Sequence, residues 1–239
     1  MSSPARIHSS SAQSTLGNPG TLSVTGTGTV DVQPDRAILS IGISTQAATA
    51  QLSVQQNAAT QDAVYLALEN MGIDKSNIQT TYYNIYTVTT CGCNGTPPVI
   101  TGYQVTDQLQ VTIIATGQDT QALGDRTGQV IDTAVSAGAN QVSGVQFTVG
   151  GSALQTAQQT ALANAAKDAS QQAHIIASQL NISVTGVISA TTNQGYYQPP
   201  PFYYANAFTA TNLAQPRTIV SPPNSLTVTE TVSVEFSTA

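Results

Sequence analysis

Between Ser152 and Leu180, alanine returns at every fourth position: Ala153, Ala157, Ala161, Ala165, Ala169, Ala173 and Ala177. Residues four apart are neighbours on an α-helix, and each step of four overshoots a full turn by about 40°, so the row winds slowly around the helix axis. A stripe of methyl groups lets another backbone approach closely, and its slow rotation suits a support that twists, either a β-sheet or a second helix. Core packing is the expected use of such a row, with a ligand groove as the alternative. Ser152 and Gln155 read as a capping box, and Leu154, Leu162, Ile175, Ile176 and Leu180 broaden the expected apolar face.

The segments that could receive this helix alternate with period two. Leu22, Val24, Gly26, Gly28, Val30 and Val32 are separated by Thr25, Thr27, Thr29 and Asp31, the pattern of a half-buried strand. Gly26 and Gly28 thin its buried face, as where a helix comes close. The Gly-Thr-Gly run lacks the further glycines and the Lys of a phosphate-cradling loop. Pro34-Asp35 supplies a turn, and Ala37, Leu39, Ile41 and Ile43 form the returning strand. Helical spacing follows from Ala50 to Met71, with Leu52, Ala59, Ala63, Leu66 and Ala67 expected on the buried face and Gly72 at the C-terminal end.

Strands are expected at Ile78–Thr89 and Ile100–Ala115, the second placing Val105, Leu109, Val111 and Ile113 on one face together with Asp107. A helix capped by Asp119 should bury Leu123, Thr127, Val130, Ile131, Ala134 and Val135 before Gly138 ends it. Val142–Val149, Ile182–Thr191 and Leu226–Phe236 complete the strands, with Glu230 on the apolar side of the last. A lone carboxylate there fits a strand end, a bulge or a subunit contact better than catalysis. The order of elements gives an α+β chain, mostly antiparallel sheet with helices packed on one face. Residues 1–20 form a Ser-rich N-terminal extended arm, residues 21–239 one domain, and residues 194–223 a loop insert within it.

Composition excludes several partners. Charged residues make up 8% of the chain and the net charge is −6, so solubility rests on neutral polar groups; Thr and Gln together supply roughly a quarter of the residues against a usual charged share of about 25%. Six Lys plus Arg, unclustered, cannot neutralise a run of phosphates, which argues against nucleic acid and against an anionic membrane surface. No stretch approaches the roughly 18 apolar residues of a transmembrane segment. The first residues lack the apolar core of a secretory signal, so either a signal has been removed or export does not use one. Carboxylates are scattered, no nucleophile motif is recognisable, and His8 and His174 have no sequence partners, so no enzyme, cofactor or metal is expected.

Cys91 and Cys93 flank one glycine. They read as a strained, easily reduced disulfide, as an intersubunit disulfide, or as two thiols at a loop tip with no role. Asn94 and Asn181 head N-glycosylation sequons. In the insert, Tyr196, Tyr197, Phe202, Tyr203, Tyr204 and Phe208 crowd beside three consecutive prolines, a stiff aromatic surface able to dock on another subunit or a glycan, or to fold back on its own sheet.

The stretches LSVTGTGTVDVQPDRAILSIGI, GIDKSNIQT, ITGYQV, AGANQVSGVQF and ALANAAKDASQQAHIIASQL, with the last strand, give the chain a resemblance to the SIMPL domain family of secreted and periplasmic proteins. The resemblance runs from Leu22 to Phe236. It implies an α+β fold, export, no established enzyme activity and, in some members, ring-like or channel-like oligomers; it offers no catalytic residues to carry over. The Ser-rich arm, the Cys-Gly-Cys loop and the insert depart from the family pattern.

Together these features give the expectation of a non-enzymatic, secreted, self-assembling structural protein at the cell surface, the subunit of an extracellular filament. The arm, whose apolar content is chiefly Ile7 and Leu16, would add as a donor strand to a neighbour's sheet edge. Two alternatives stay open: a periplasmic or secreted protein forming a closed ring-like homo-oligomer with a protective or adaptor role, and a glycan-binding or cell-surface-binding module.

Overall fold

The computed structural model describes residues 20–90, 97–117, 119–193 and 217–239. Seven strands and three α-helices follow in the order β1 (Gly20–Val32), β2 (Arg36–Ala47), α1 (Ala50–Asn70), β3 (Ile78–Thr89), β4 (Ile100–Ile114), α2 (Thr120–Ser136), β5 (Gln141–Thr148), α3 (Gly151–Leu180), β6 (Val184–Asn193) and β7 (Leu226–Thr238). The α+β architecture expected from the sequence is the one observed. The described residues cluster into two compact units, those within 20–28, 162–193 and 230–239, and those within 29–161 and 217–229. The unit boundaries fall within β1, α3 and β7.

In the larger unit a sheet of order β3-β4-β2-β5, antiparallel throughout, carries α1 and α2 over β2 and β4. Its core joins Leu39, Ile41 and Ile43 of β2, Leu109, Val111 and Ile113 of β4 and Phe147 of β5 to Val64, Leu68, Leu123, Val130 and Ile131 of the helices. Asp35 ties the turn before β2 to the end of β5: its Oδ1 accepts from Arg36 Nε at 2.8 Å and from the Gly150 amide at 3.1 Å.

α1 has the expected boundaries and ends as expected. Gly72 takes φ 78°, which glycine adopts without penalty, and Ile73 N–H reaches back to the Leu68 carbonyl at 3.0 Å. Its buried face differs from the sequence expectation. Leu52, Ala59, Ala63 and Leu66 are exposed, and the sheet receives Ser53, Asn57, Val64 and Leu68. Apolarity misleads here because two polar residues are accepted into the interface by β2 backbone groups. Ser53 Oγ donates to the Thr45 carbonyl at 3.0 Å, Thr45 Oγ1 donates to the Ser53 carbonyl at 2.9 Å, and Asn57 Nδ2 donates to the Ile43 carbonyl at 3.2 Å. α2 is capped by Asp119 and buries all its expected residues except Val135, which is exposed.

The segment from Arg217 onward runs along α2. Gly124 and Gly128 open a narrow lane for it: a Cβ on either would strike a carbonyl oxygen, of Val220 and of Thr218 respectively. One turn on, Asp132 accepts from Thr218 Oγ1 at 2.6 Å and from the Thr218 amide at 3.2 Å, while the Val220 side chain enters the core. The last residues of the expected insert are thus part of the folded unit.

In the smaller unit the sheet has the order β1-β7-β6, with β6 and β7 antiparallel. Ala165, Ala169 and Ala173 of α3 pack on Val24, Val232, Val234 and Phe236. A Cβ at Gly26 would collide with the Ala165 carbonyl, so β1 and α3 touch backbone to backbone. Asp168 fixes the approach by accepting from the Thr27 amide at 2.9 Å. The alanine row is core, as its period predicts, but Ile175, Ile176 and Leu180 are exposed and do not extend it. The helix begins at Gly151, so Ser152 falls within the first turn and not at the cap.

Candidate association surface on the edge strand

β3 is rich in Tyr, Thr, Ile and Val and contains no charged residue, a composition that favours extended backbone. It stands at one edge of the four-stranded sheet and pairs with β4 from Ile78↔Val111 to Thr89↔Ile100. Strand alternation then divides its side chains between two faces. Tyr83 and Ile85 stand opposite Asp107 and Val105 on the side of the helices; Tyr82, Asn84 and Tyr86 stand opposite Gln108, Thr106 and Gln104 on the other. Tyr82, Tyr83, Ile85 and Tyr86 are all more than 40% exposed, so neither face of the strand is covered.

The outer face of this sheet is neutral and polar. Asn84 Nδ2 donates to the Tyr82 hydroxyl at 3.0 Å, the Tyr86 hydroxyl lies 3.5 Å from Thr106 Oγ1, and Gln104 Nε2 donates to Ser44 Oγ at 2.6 Å. Natural edge strands are commonly protected by lysine, proline, an inward charge or a bulge; β3 lacks the first three, and its register shifts at Thr80/Tyr82 and Val88/Thr89 leave Tyr82–Val88 regularly paired between them. Large rings and a backbone edge that no strand among the described residues pairs with make it suited to pairing with another strand.

Among the described residues no group of three His, Cys, Asp or Glu side chains could hold a metal ion. The open groove along α1 is lined by Gln61, Asp62, Tyr65, Leu66, Glu69 and Lys75 and holds no nucleophile beside a base. Asp107 is the unusual ionisable group. It is fully buried in β4, both carboxyl oxygens lack hydrogen-bond partners, and burial pushes its pKa above the ordinary carboxylate value.

Of the candidate disulfide, interface and glycosylation residues named from the sequence, Asn181 is described. It is exposed and takes φ 53° directly after α3, where Ile182 N–H returns to the Ala177 carbonyl at 3.0 Å. Its position is that of a left-handed helix cap, a role asparagine fills without glycosylation. Ile7, Leu16, Cys91, Cys93, Asn94, Tyr196, Tyr197, Phe202, Tyr203 and Tyr204 lie outside the described residues. The aromatic edge of β3 was not among the expected sites, although an uncharged strand with large side chains on both of its alternating sets carries the signal.

Residues 22–236 match the SIMPL family, described as a protein of unknown function (DUF541). The chain is 32% identical over 126 residues to the 26 kDa periplasmic immunogenic protein of Brucella melitensis biotype 1 and 31% identical over 126 residues to that of Brucella abortus strain S19. Each match covers 52% of this chain and 47% of the relative, about half of either protein. No helix among the described residues is long and apolar enough to cross a membrane.

Proposed function

Because the chain belongs to the SIMPL family, we propose that it is an exported, non-catalytic protein that works by associating with copies of itself through the β3 edge. The observation that carries this reading is a strand with exposed rings on both faces and no charge to keep another strand away. Pairing β3 of one copy with β5, the opposite edge of the same sheet, in the next is a head-to-tail contact, which closes into a ring when the rotation per copy divides a full turn. The periplasmic relatives favour this closed form, with a protective or adaptor role, over the extracellular filament, because a bounded compartment suits an assembly that terminates. The donor-strand arm lies outside the described residues.

Light scattering and electron microscopy of the purified chain test the proposal. Discrete oligomers that Ile85→Lys converts to monomers, with circular dichroism unchanged, support it. A parent protein that stays monomeric at every concentration overturns it, and long fibres would restore the filament.

A further inference from the structure

Asn57 and Asp107 both neighbour Ile43 of β2, Asn57 from the N-terminal half of α1 and Asp107 as its partner on β4. The Gly42 carbonyl accepts from Asn140 N–H at 3.0 Å, and the Ser44 amide and carbonyl are both taken by the Asn140 side chain at 2.9 and 2.7 Å, so these backbone groups point toward β5. Alternation along β2 turns those of Ile43 the other way, toward β4, where Ile43 pairs with Asp107. Asn57 Nδ2 donates to that Ile43 carbonyl, which places the amide over the β2–β4 seam at the level of Asp107. This bond also fixes the amide's orientation, leaving Oδ1 as the free end. Asn57 is 1% and Asp107 0% exposed, and Asn57 Oδ1 and both Asp107 oxygens are without partners.

Three buried acceptors at one seam require a hydrogen that neither an amide oxygen nor a carboxylate can supply. We propose that Asp107 carries its proton in the folded chain and donates it to Asn57 Oδ1, forming a proton-dependent latch that holds α1 on β2 and β4. Loss of that proton leaves a charge facing an amide oxygen among Val105, Leu109 and Ile43, which draws water into the seam and loosens the helix.

Titratable neighbours are few. On its own face of the sheet Asp107 has Tyr83 across on β3 and Tyr103 four residues away on β4; β2 brings Ile43. α1 brings Ser53 and Asn57, with Asp62, Tyr65 and Glu69 one or more turns further along. On α2, Asp125 holds Gln121, Asp132 holds Thr218, and Arg126 stands beside Ala115, beyond the far end of β4. No cation is present in this set to stabilise an ionised Asp107. Burial raises its folded pKa above the unfolded value, so the latch is complete in acid and is lost as pH rises through the folded value.

The test is backbone hydrogen exchange in α1, corrected for intrinsic rates, at an acid and an alkaline pH. Amides around Ser53–Thr60 should lose protection between the acid and the alkaline pH in the parent, the loss reading the pKa shift at about tenfold per unit. Asp107→Asn can still donate to Asn57 Oδ1 but cannot ionise, so its protection should be the same at both pH values. Equal pH dependence in parent and Asp107→Asn overturns the latch. Infrared spectroscopy of the parent needs no variant: a carboxylic-acid carbonyl band that outlasts the ionisation of the exposed carboxylates as pH rises supports the proposal, and its loss together with theirs overturns it.

Discussion

α3 and the pair α1–α2 both lie on antiparallel sheet, but they fill the space beneath them in opposite ways. Under α3 the strands bring Val24, Val232, Val234 and Phe236, while the fully buried residues of the helix are alanines, with Leu162 half-buried beside them, and it meets the β1 backbone at Gly26. Under α1 and α2 both layers bring bulk, Val64, Leu68, Leu123, Val130 and Ile131 above and Leu39, Ile41, Leu109, Ile113 and Phe147 below. The alanine seam leaves no room to add atoms, whereas the aliphatic core depends on atoms that can be removed. Failure by overfilling and failure by cavity are therefore expected in different parts of one chain.

The largest effect should come from emptying the bulky core. Phe147→Ala removes a fully buried ring from β5 and should cost about 3 to 5 kcal/mol, read from denaturant unfolding, with exchange protection lost first in β2 and β5. Overfilling the seam comes next: Ala165→Leu should cost roughly 1 to 3 kcal/mol and deprotect α3 beyond Leu162 while β4 stays protected. If Ala165→Leu leaves thermal unfolding unchanged, the seam is not close-packed and the contrast fails. The smallest effect belongs to the α1 positions whose apolarity misplaces them inside. Leu66→Gln, at a residue 60% exposed, should stay within about 0.5 kcal/mol of the parent, and a larger loss would return Leu66 to the core.

The same contrast explains what could be read from sequence. The alanine row was legible because close approach to a backbone tolerates little else, so the constraint appears at every fourth letter. The buried stripe of α1 was not, since Ser53 and Asn57 enter the interface through bonds to Thr45 and Ile43, partners that local periodicity cannot reveal. β3 was legible as a strand from its Tyr, Ile and Thr content. Its place at the edge depends on β4 choosing β2 as its other neighbour, a long-range pairing. Asp107 stood out within an apolar alternation, but its lack of a partner appears only when α1 is laid over it.

The lane on α2 that receives Thr218–Val220 has a consequence for how this family member can vary. Gly124, Gly128 and Asp132 hold the returning chain before it reaches β7, and Val220 anchors it in the core. The register of residues 218–220 is therefore written on α2 and not on the strand that follows: a side chain at Gly124 or Gly128 would displace this segment before it touched β7. Those two positions are closed to variation as firmly as Gly26 is in the seam under α3.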